Sequence, residues 1–136
     1  MNKLFEAAKK ARLNSYSPYS NYKVGAAVLM KDGSIFGGCN VENSTYGATV
    51  CAERTAILSA IAQGSNEIAE ICVVTDATPP WPPCGLCRQT LTEFGDGNVK
   101  VHLANLSGVK ESLKLKDLMP YAFLPEHLSK KSKKKK

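Results

Sequence analysis

Apolar residues recur at helical spacing over residues 2–14, where Leu4, Phe5, Ala8, Ala11 and Leu13 sit among charged neighbours, and this pattern predicts an amphipathic helix. Residues 16–21, rich in Ser and interrupted by Pro18, predict a loop. The apolar run over 23–30 predicts a strand, Asp32-Gly33 a hairpin turn, and residues 34–41 the returning strand. Residues 43–50 predict a loop. Residues 52–63 place Ala, Ile and Leu on one face of a helix that Gly64 stops. A buried strand is expected over 68–75, centred on Ile71-Cys72-Val73-Val74, and a proline-rich loop around Trp81 over 76–83. A second helix is expected over 85–94, a strand over 99–104, and a short helix over 112–119 before Pro120. A hairpin followed by strands alternating with helices predicts an α/β layered fold, a mixed sheet covered by helices.

Length and composition narrow the class. The 136 residues are one domain's worth, and 43% hydrophobic with 22% charged residues is globular composition, not that of a disordered chain. No apolar run reaches the roughly eighteen residues of a membrane span. Lys3, Glu6, Lys9 and Lys10 interrupt the apolar stretch that a signal peptide requires, so export is not expected. The net charge of +6 suggests nucleic acid, but six lysines lie within residues 130–136. Removing those six from the 18 Lys+Arg leaves 12, equal to the 12 Asp+Glu. The body, residues 1–127, is expected to be a single neutral domain. Residues 128–136 are expected to be a disordered lysine-rich tail, capable only of weak, salt-sensitive contact with polyanions.

Five cysteines, an odd number in a chain not expected to be exported, argue against a disulfide framework. Three of them are grouped: Cys51-Ala52-Glu53-Arg54 and Pro83-Cys84-Gly85-Leu86-Cys87-Arg88 both fall at loop-to-helix boundaries. A helix N-terminus stabilises thiolate, and the two-residue spacing of Cys84 and Cys87 puts both sulfurs on one side of a turn. Three thiolates can hold zinc at three tetrahedral corners and leave the fourth for water, as in catalytic sites. Glu53 is placed to exchange a proton with that water. A closed structural site would need a fourth ligand from Cys39, Cys72, His102 or His127. Cys72 and His102 read instead as strand residues of the core or its edge, Cys39 as packing, and His127 as a residue near the loose terminus.

Cys-x-Glu followed by Pro-Cys-x-x-Cys is the signature of the zinc-dependent deaminases, with Cys in the place of the commoner His. With Tyr22-Lys23-Val24-Gly25-Ala26 and Asn40-Val41-Glu42-Asn43 in order before it, the chain resembles the small homotetrameric cytidine deaminases of pyrimidine salvage over residues 3–127. The resemblance implies a three-layer α/β/α fold with a mixed, roughly five-stranded sheet. It also implies a cytoplasmic enzyme that hydrolyses cytidine and deoxycytidine to uridine and deoxyuridine by a zinc-bound hydroxide, one zinc per subunit.

Site residues follow position by position. Cys51, Cys84 and Cys87 would be the zinc ligands, and Glu53 the proton shuttle, hydrogen-bonded to the pyrimidine N3. The backbone at Ala52 would meet the amide edge of the base, and Asn40 and Glu42 the ribose hydroxyl. Tyr22 stands where the family usually carries Phe beside the base. Tyr46 and Phe123 resemble the aromatics that the family contributes from neighbouring subunits. An all-thiolate zinc site sums to −1, and Arg54 and Arg88 are each positioned to donate to thiolate sulfur and draw off charge. For Arg88 a surface ion pair is an equal alternative.

Overall fold

The computed structural model describes residues 2–128; Met1 and, apart from Leu128, the expected lysine-rich tail lie outside the described residues. Helix α1 (Asn2–Arg12) buries Leu4 and Ala8, one turn apart, and carries Lys9, Lys10 and Arg12 in its last turn, where cations suit the helix dipole. Strands β1 (Gly25–Met30) and β2 (Ile35–Cys39) form the expected hairpin. Its turn is closed by Gly33 at φ 92°, a conformation open to glycine. Helix α2 (Ala52–Ala62) buries Ala52, Glu53, Ala56, Ile57 and Ala60 along one stripe. Strand β3 (Ile68–Val74), helix α3 (Gly85–Phe94), strand β4 (Lys100–Asn105), strand β5 (Gly108–Lys114) and the short helix α4 (Leu115–Leu118) follow in order.

The sheet has the order β2-β1-β3-β4-β5. β1 runs antiparallel to both β2 and β3, β3 parallel to β4, and β4 antiparallel to β5. The parallel step needs a crossover, and α3 supplies it. Alternation along the strands divides the core between the two faces. Ala26, Val28, Met30, Ile71 and Val73 pack with Ala56, Ile57 and Leu91 on the α2/α3 side. Ala27, Cys72, Val74 and Ala104 pack with Leu4 and Ala8 of α1 on the other. The result is the three-layer α/β/α arrangement with five strands.

One expectation is corrected. Residues 112–114 are not helical: they end β5, and the helix is confined to four residues after them. β5 is an edge strand whose Lys110, Glu111 and Ser112 face solvent, so it lacks the apolar alternation that marks a half-buried strand.

Close packing of α2 on the hairpin sets the site. A Cβ at Gly38 would overlap the backbone nitrogen of Ala56, so glycine there lets α2 lie directly against β2. That contact fixes the height at which the N-terminus of α2 emerges beside the N-terminus of α3.

Candidate metal centre and cavity

Two helices begin at one place. Cys51 immediately precedes α2, and Cys84 immediately precedes α3, both in extended conformation (φ −70°, ψ 154° and φ −72°, ψ 172°). Each carbonyl accepts the first intrahelical bond, Thr55 N–H to Cys51 O at 3.0 Å and Arg88 N–H to Cys84 O at 2.9 Å. Cys87 lies in the first turn of α3. The Cys51 and Cys84 sulfurs are 3.5 Å apart and those of Cys84 and Cys87 3.4 Å. All three lie within 4.8 Å of one another. Thiols at two converging helix N-termini sit in favourable potential for thiolate. Cys51 is pushed down to about 5, first by the hydrogen bond it shares with Cys87 and then by Arg54; that shared bond pushes the Cys87 thiol up.

The donor set fits zinc: three soft sulfurs from two rigid elements, with a cation beside them. None of the four residues weighed as a fourth ligand joins the cluster. Cys72 is fully buried against α1, and burial pushes its thiol up to about 12. Cys39 ends β2. His102 is tied at Nδ1 to Ser112 Oγ (2.7 Å) and at Nε2 to Glu70 Oε1 (2.8 Å). His127 Nδ1 accepts the Leu124 N–H at 2.9 Å.

Glu53 projects from the first turn of α2 and is 5% exposed. Burial pushes its carboxyl up to about 7, and the Cys51 charge adds to that, against its own backbone N–H and Arg54. Such a group both accepts and returns protons near neutrality. It lines a cavity of about 290 Å³ together with Cys51, Ala52, Cys84, Tyr22, Asn40 and Trp81. A groove of about 640 Å³ between Lys31, Glu67, Phe94 and Leu124 is larger but holds none of these groups.

Asn40 and Glu42 brace the wall of the cavity. Asn40 Oδ1 accepts the Val24 N–H at 2.9 Å and the Ser15 hydroxyl, and its Nδ2 donates to Tyr22 O at 2.8 Å. Glu42 accepts the N–H groups of Tyr19 (2.9 Å) and Ser20 (3.1 Å) and the Ser20 hydroxyl. The Ser20 hydroxyl holds the Glu42 carboxyl below the usual carboxylate range. Together the two side chains set the course of residues 15–24, and so the position of Tyr22. Glu42 and Tyr46 line a neighbouring cleft of about 310 Å³ that shares Ser20 and Thr49 with the main cavity.

Tyr46 is 80% exposed, and Phe123 is 56% exposed and stacked on His127. Phe123 does not line the cavity of its own chain.

The two arginines differ. Arg54 Nη2 lies 3.9 Å from Cys51 Sγ and donates to Thr49 O at 3.3 Å. Arg88 does not reach sulfur: Nε donates to Pro83 O at 2.8 Å and Nη1 to Leu118 O at 2.9 Å, tying the loop before Cys84 to the end of α4. The sulfur contact and the surface ion pair expected for it are both replaced by bonds to carbonyls. Sequence reasoning passed over Ser20 and Trp81 as site residues. The chain's single Trp between two proline pairs was a signal for the second.

Comparison with known proteins agrees with this geometry. Residues 1–103 match the family model described as the cytidine and deoxycytidylate deaminase zinc-binding region. Cytidine deaminase from Halalkalibacterium halodurans is 45% identical over 126 residues, covering 93% of this chain and 96% of its own. That from Sporosarcina psychrophila is 46% identical over 129 residues, covering 95% of each. The crystal structure of cytidine deaminase from Burkholderia pseudomallei superposes with a TM-score of 0.85 at 48% identity, over 90% of this chain and 98% of that one. The Mycobacterium tuberculosis enzyme does so with a TM-score of 0.78 at 36% identity, over 90% and 95%. With a family model matched over most of its length and relatives this similar end to end, the chain belongs to the cytidine and deoxycytidylate deaminase family.

Proposed function

We propose that the protein converts cytidine and deoxycytidine, with water, to uridine and deoxyuridine and ammonia, in pyrimidine salvage. The observation that carries this reading is Glu53, buried beside three clustered cysteines at the end of a cavity sized for a nucleobase. Cys51, Cys84 and Cys87 would hold zinc, one ion per subunit, which supplies Lewis acidity that brings the pKa of a bound water toward neutrality. The Glu53 carboxylate takes a proton from the attacking water, hydrogen-bonds the base at N3 and delivers a proton to the departing amine nitrogen. The Ala52 backbone faces the base edge, Tyr22 lies beside the ring, and Asn40 and Glu42 meet the sugar. Arg54 offsets the charge of the thiolates.

The lining favours a nucleoside over a nucleotide. Among the described residues, no Lys or Arg lines the main cavity or the neighbouring cleft, and Glu42 places a carboxylate where a phosphate would need a cation. For the same reason nucleic acid is at most a weak, salt-sensitive contact of the lysine-rich terminus. No described helix is long and apolar enough to cross a membrane, and we place the enzyme in the cytoplasm. Residues 1–127 act as one domain, with 128–136 as an appended tail. The active form is a homotetramer in which Phe123 and Tyr46 complete the cavities of neighbouring copies; the exposure of both rings supports this.

The test is loss of cytidine absorbance with purified protein, with CMP, deoxy-CMP and a single-stranded oligonucleotide beside it. Cytidine and deoxycytidine should be consumed, chelation should stop the reaction and zinc should restore it. No loss of cytidine, or preferential use of CMP or the oligonucleotide, would contradict the proposal.

A further inference from the structure

Trp81 sits at the lip of the cavity in the sequence Pro79-Pro80-Trp81-Pro82-Pro83. Its indole is edge-on to the Tyr22 ring, with centroids 5.0 Å apart and planes at 66°. The two rings come from separate segments, the loop before β1 and the loop before α3, and both stay largely open to solvent, Trp81 at 42% and Tyr22 at 57%. The cavity they share is largely apolar, with Val24, Ala52 and Val73 in its wall beside Glu53 and Cys84. Two half-exposed aromatic rings at the mouth of an apolar cavity suit a planar heteroaromatic ligand.

The indole is held on a stiff support. Four flanking prolines fix their own φ angles and restrict the residues before them. The Trp81 backbone N–H points to Thr75 Oγ1 at 3.5 Å, and the Pro83 carbonyl is clamped by Arg88. A wall fixed before binding costs little ordering entropy and yields little to a larger ligand.

We propose that Trp81 is a specificity-determining residue: with Tyr22 it forms a rigid aromatic mouth that limits the width of the base, and it excludes bulk on the ring carbon next to the reacting one. This rests on the nucleoside deaminase reading. The reacting carbon, C4, must lie at Glu53 and the cysteines. Its carbon neighbour, C5, is the adjacent position able to carry a substituent. Trp81 and Pro82 line the same cavity three and two residues before Cys84 in the chain.

The test compares kcat/KM for 5-iodocytidine and cytidine in zinc-loaded wild type, Trp81→Ala and Trp81→Phe, with uridine titrated against wild-type tryptophan fluorescence. Because Trp81 is the sole Trp, any fluorescence change excited at the red edge reports on this residue. The proposal expects saturable quenching by uridine. It also expects the 5-iodocytidine to cytidine ratio to rise about 10-fold or more in Trp81→Ala, the scale at which pocket size discriminates. Trp81→Phe, which restores a ring, should return most of the wild-type selectivity. Active wild type with no quenching, or a ratio unchanged in Trp81→Ala, overturns the role of Trp81 alone. Wild type inactive on cytidine overturns the deaminase reading beneath it.

Discussion

The Arg54 guanidinium lies 3.9 Å from the Cys51 sulfur, the one cation among the described residues in contact with the cysteine cluster. Three thiolates around a divalent ion leave a net −1, which works against acidifying water; a cation donating to one sulfur draws part of that charge away. Arg54→Gln should therefore lower turnover by ~10–100-fold and weaken zinc retention. Rate assays and metal analysis after dialysis check this together. Unchanged values of both would reduce Arg54 to its bond with Thr49 O.

Asn40 is expected to matter for stability as well as for substrate. Its side chain satisfies the Val24 N–H, the Ser15 hydroxyl and the Tyr22 carbonyl at a position 9% exposed. Asn40→Ala strands these partners, and unsatisfied buried groups cost roughly 1–3 kcal/mol. Urea unfolding should show a lower midpoint at an unchanged m-value. A midpoint equal to wild type would mean that residues 15–24 hold their course without it.

The carboxylate of Glu42 predicts selectivity against phosphate. The Ser20 hydroxyl holds its pKa low, so it is ionised throughout the near-neutral range. Glu42→Gln removes the charge while keeping the shape, and should raise the kcat/KM ratio of CMP to cytidine by roughly 3–10-fold, the scale of one water-screened Coulomb contact of about 1 kcal/mol. The pH dependence has a defined sign. A carboxyl with a depressed folded pKa adds stability that is present above its unfolded pKa and lost as pH falls through the folded one. Thermal melts across the acid range should thus show a smaller fall for Glu42→Gln than for wild type.

Much of this was legible in the chain. The Asp32-Gly33 hairpin, the bounds of α3 at residues 85 and 94 and the stop of α2 near Gly64 are written in local residue chemistry, because each depends on neighbours within a turn. The cysteine cluster was legible for the same reason: two helix starts each carry their own sulfurs. Long-range partners were not. Asn40 and Glu42 brace backbone groups 16 to 23 residues away, and Arg88 finds the Leu118 carbonyl 30 residues on. β5 was hidden because, of its apolar side chains, this edge strand has only Val109 and Leu113 to bury in part, which leaves the alternation too sparse to show.

Assembly has its own test. Phe123 lies outside the cavity of its own chain, whereas Glu53 lines it. Co-expression of a Glu53→Gln chain with a Phe123→Ala chain, each impaired alone, should give mixed tetramers with activity well above either parent. Some of their cavities combine an intact Glu53 with an intact Phe123 from the neighbour. If mixed tetramers form and show only the average of the parents, Phe123 does not serve a neighbouring site.

The central claim is that Glu53 moves protons beside a zinc ion it does not hold, and one variant tests it. Purified Glu53→Gln should retain about one zinc per chain by elemental analysis while cytidine turnover falls by roughly 10²–10⁴ or more. Near-normal turnover in that variant, or loss of the zinc together with the activity, would contradict the account.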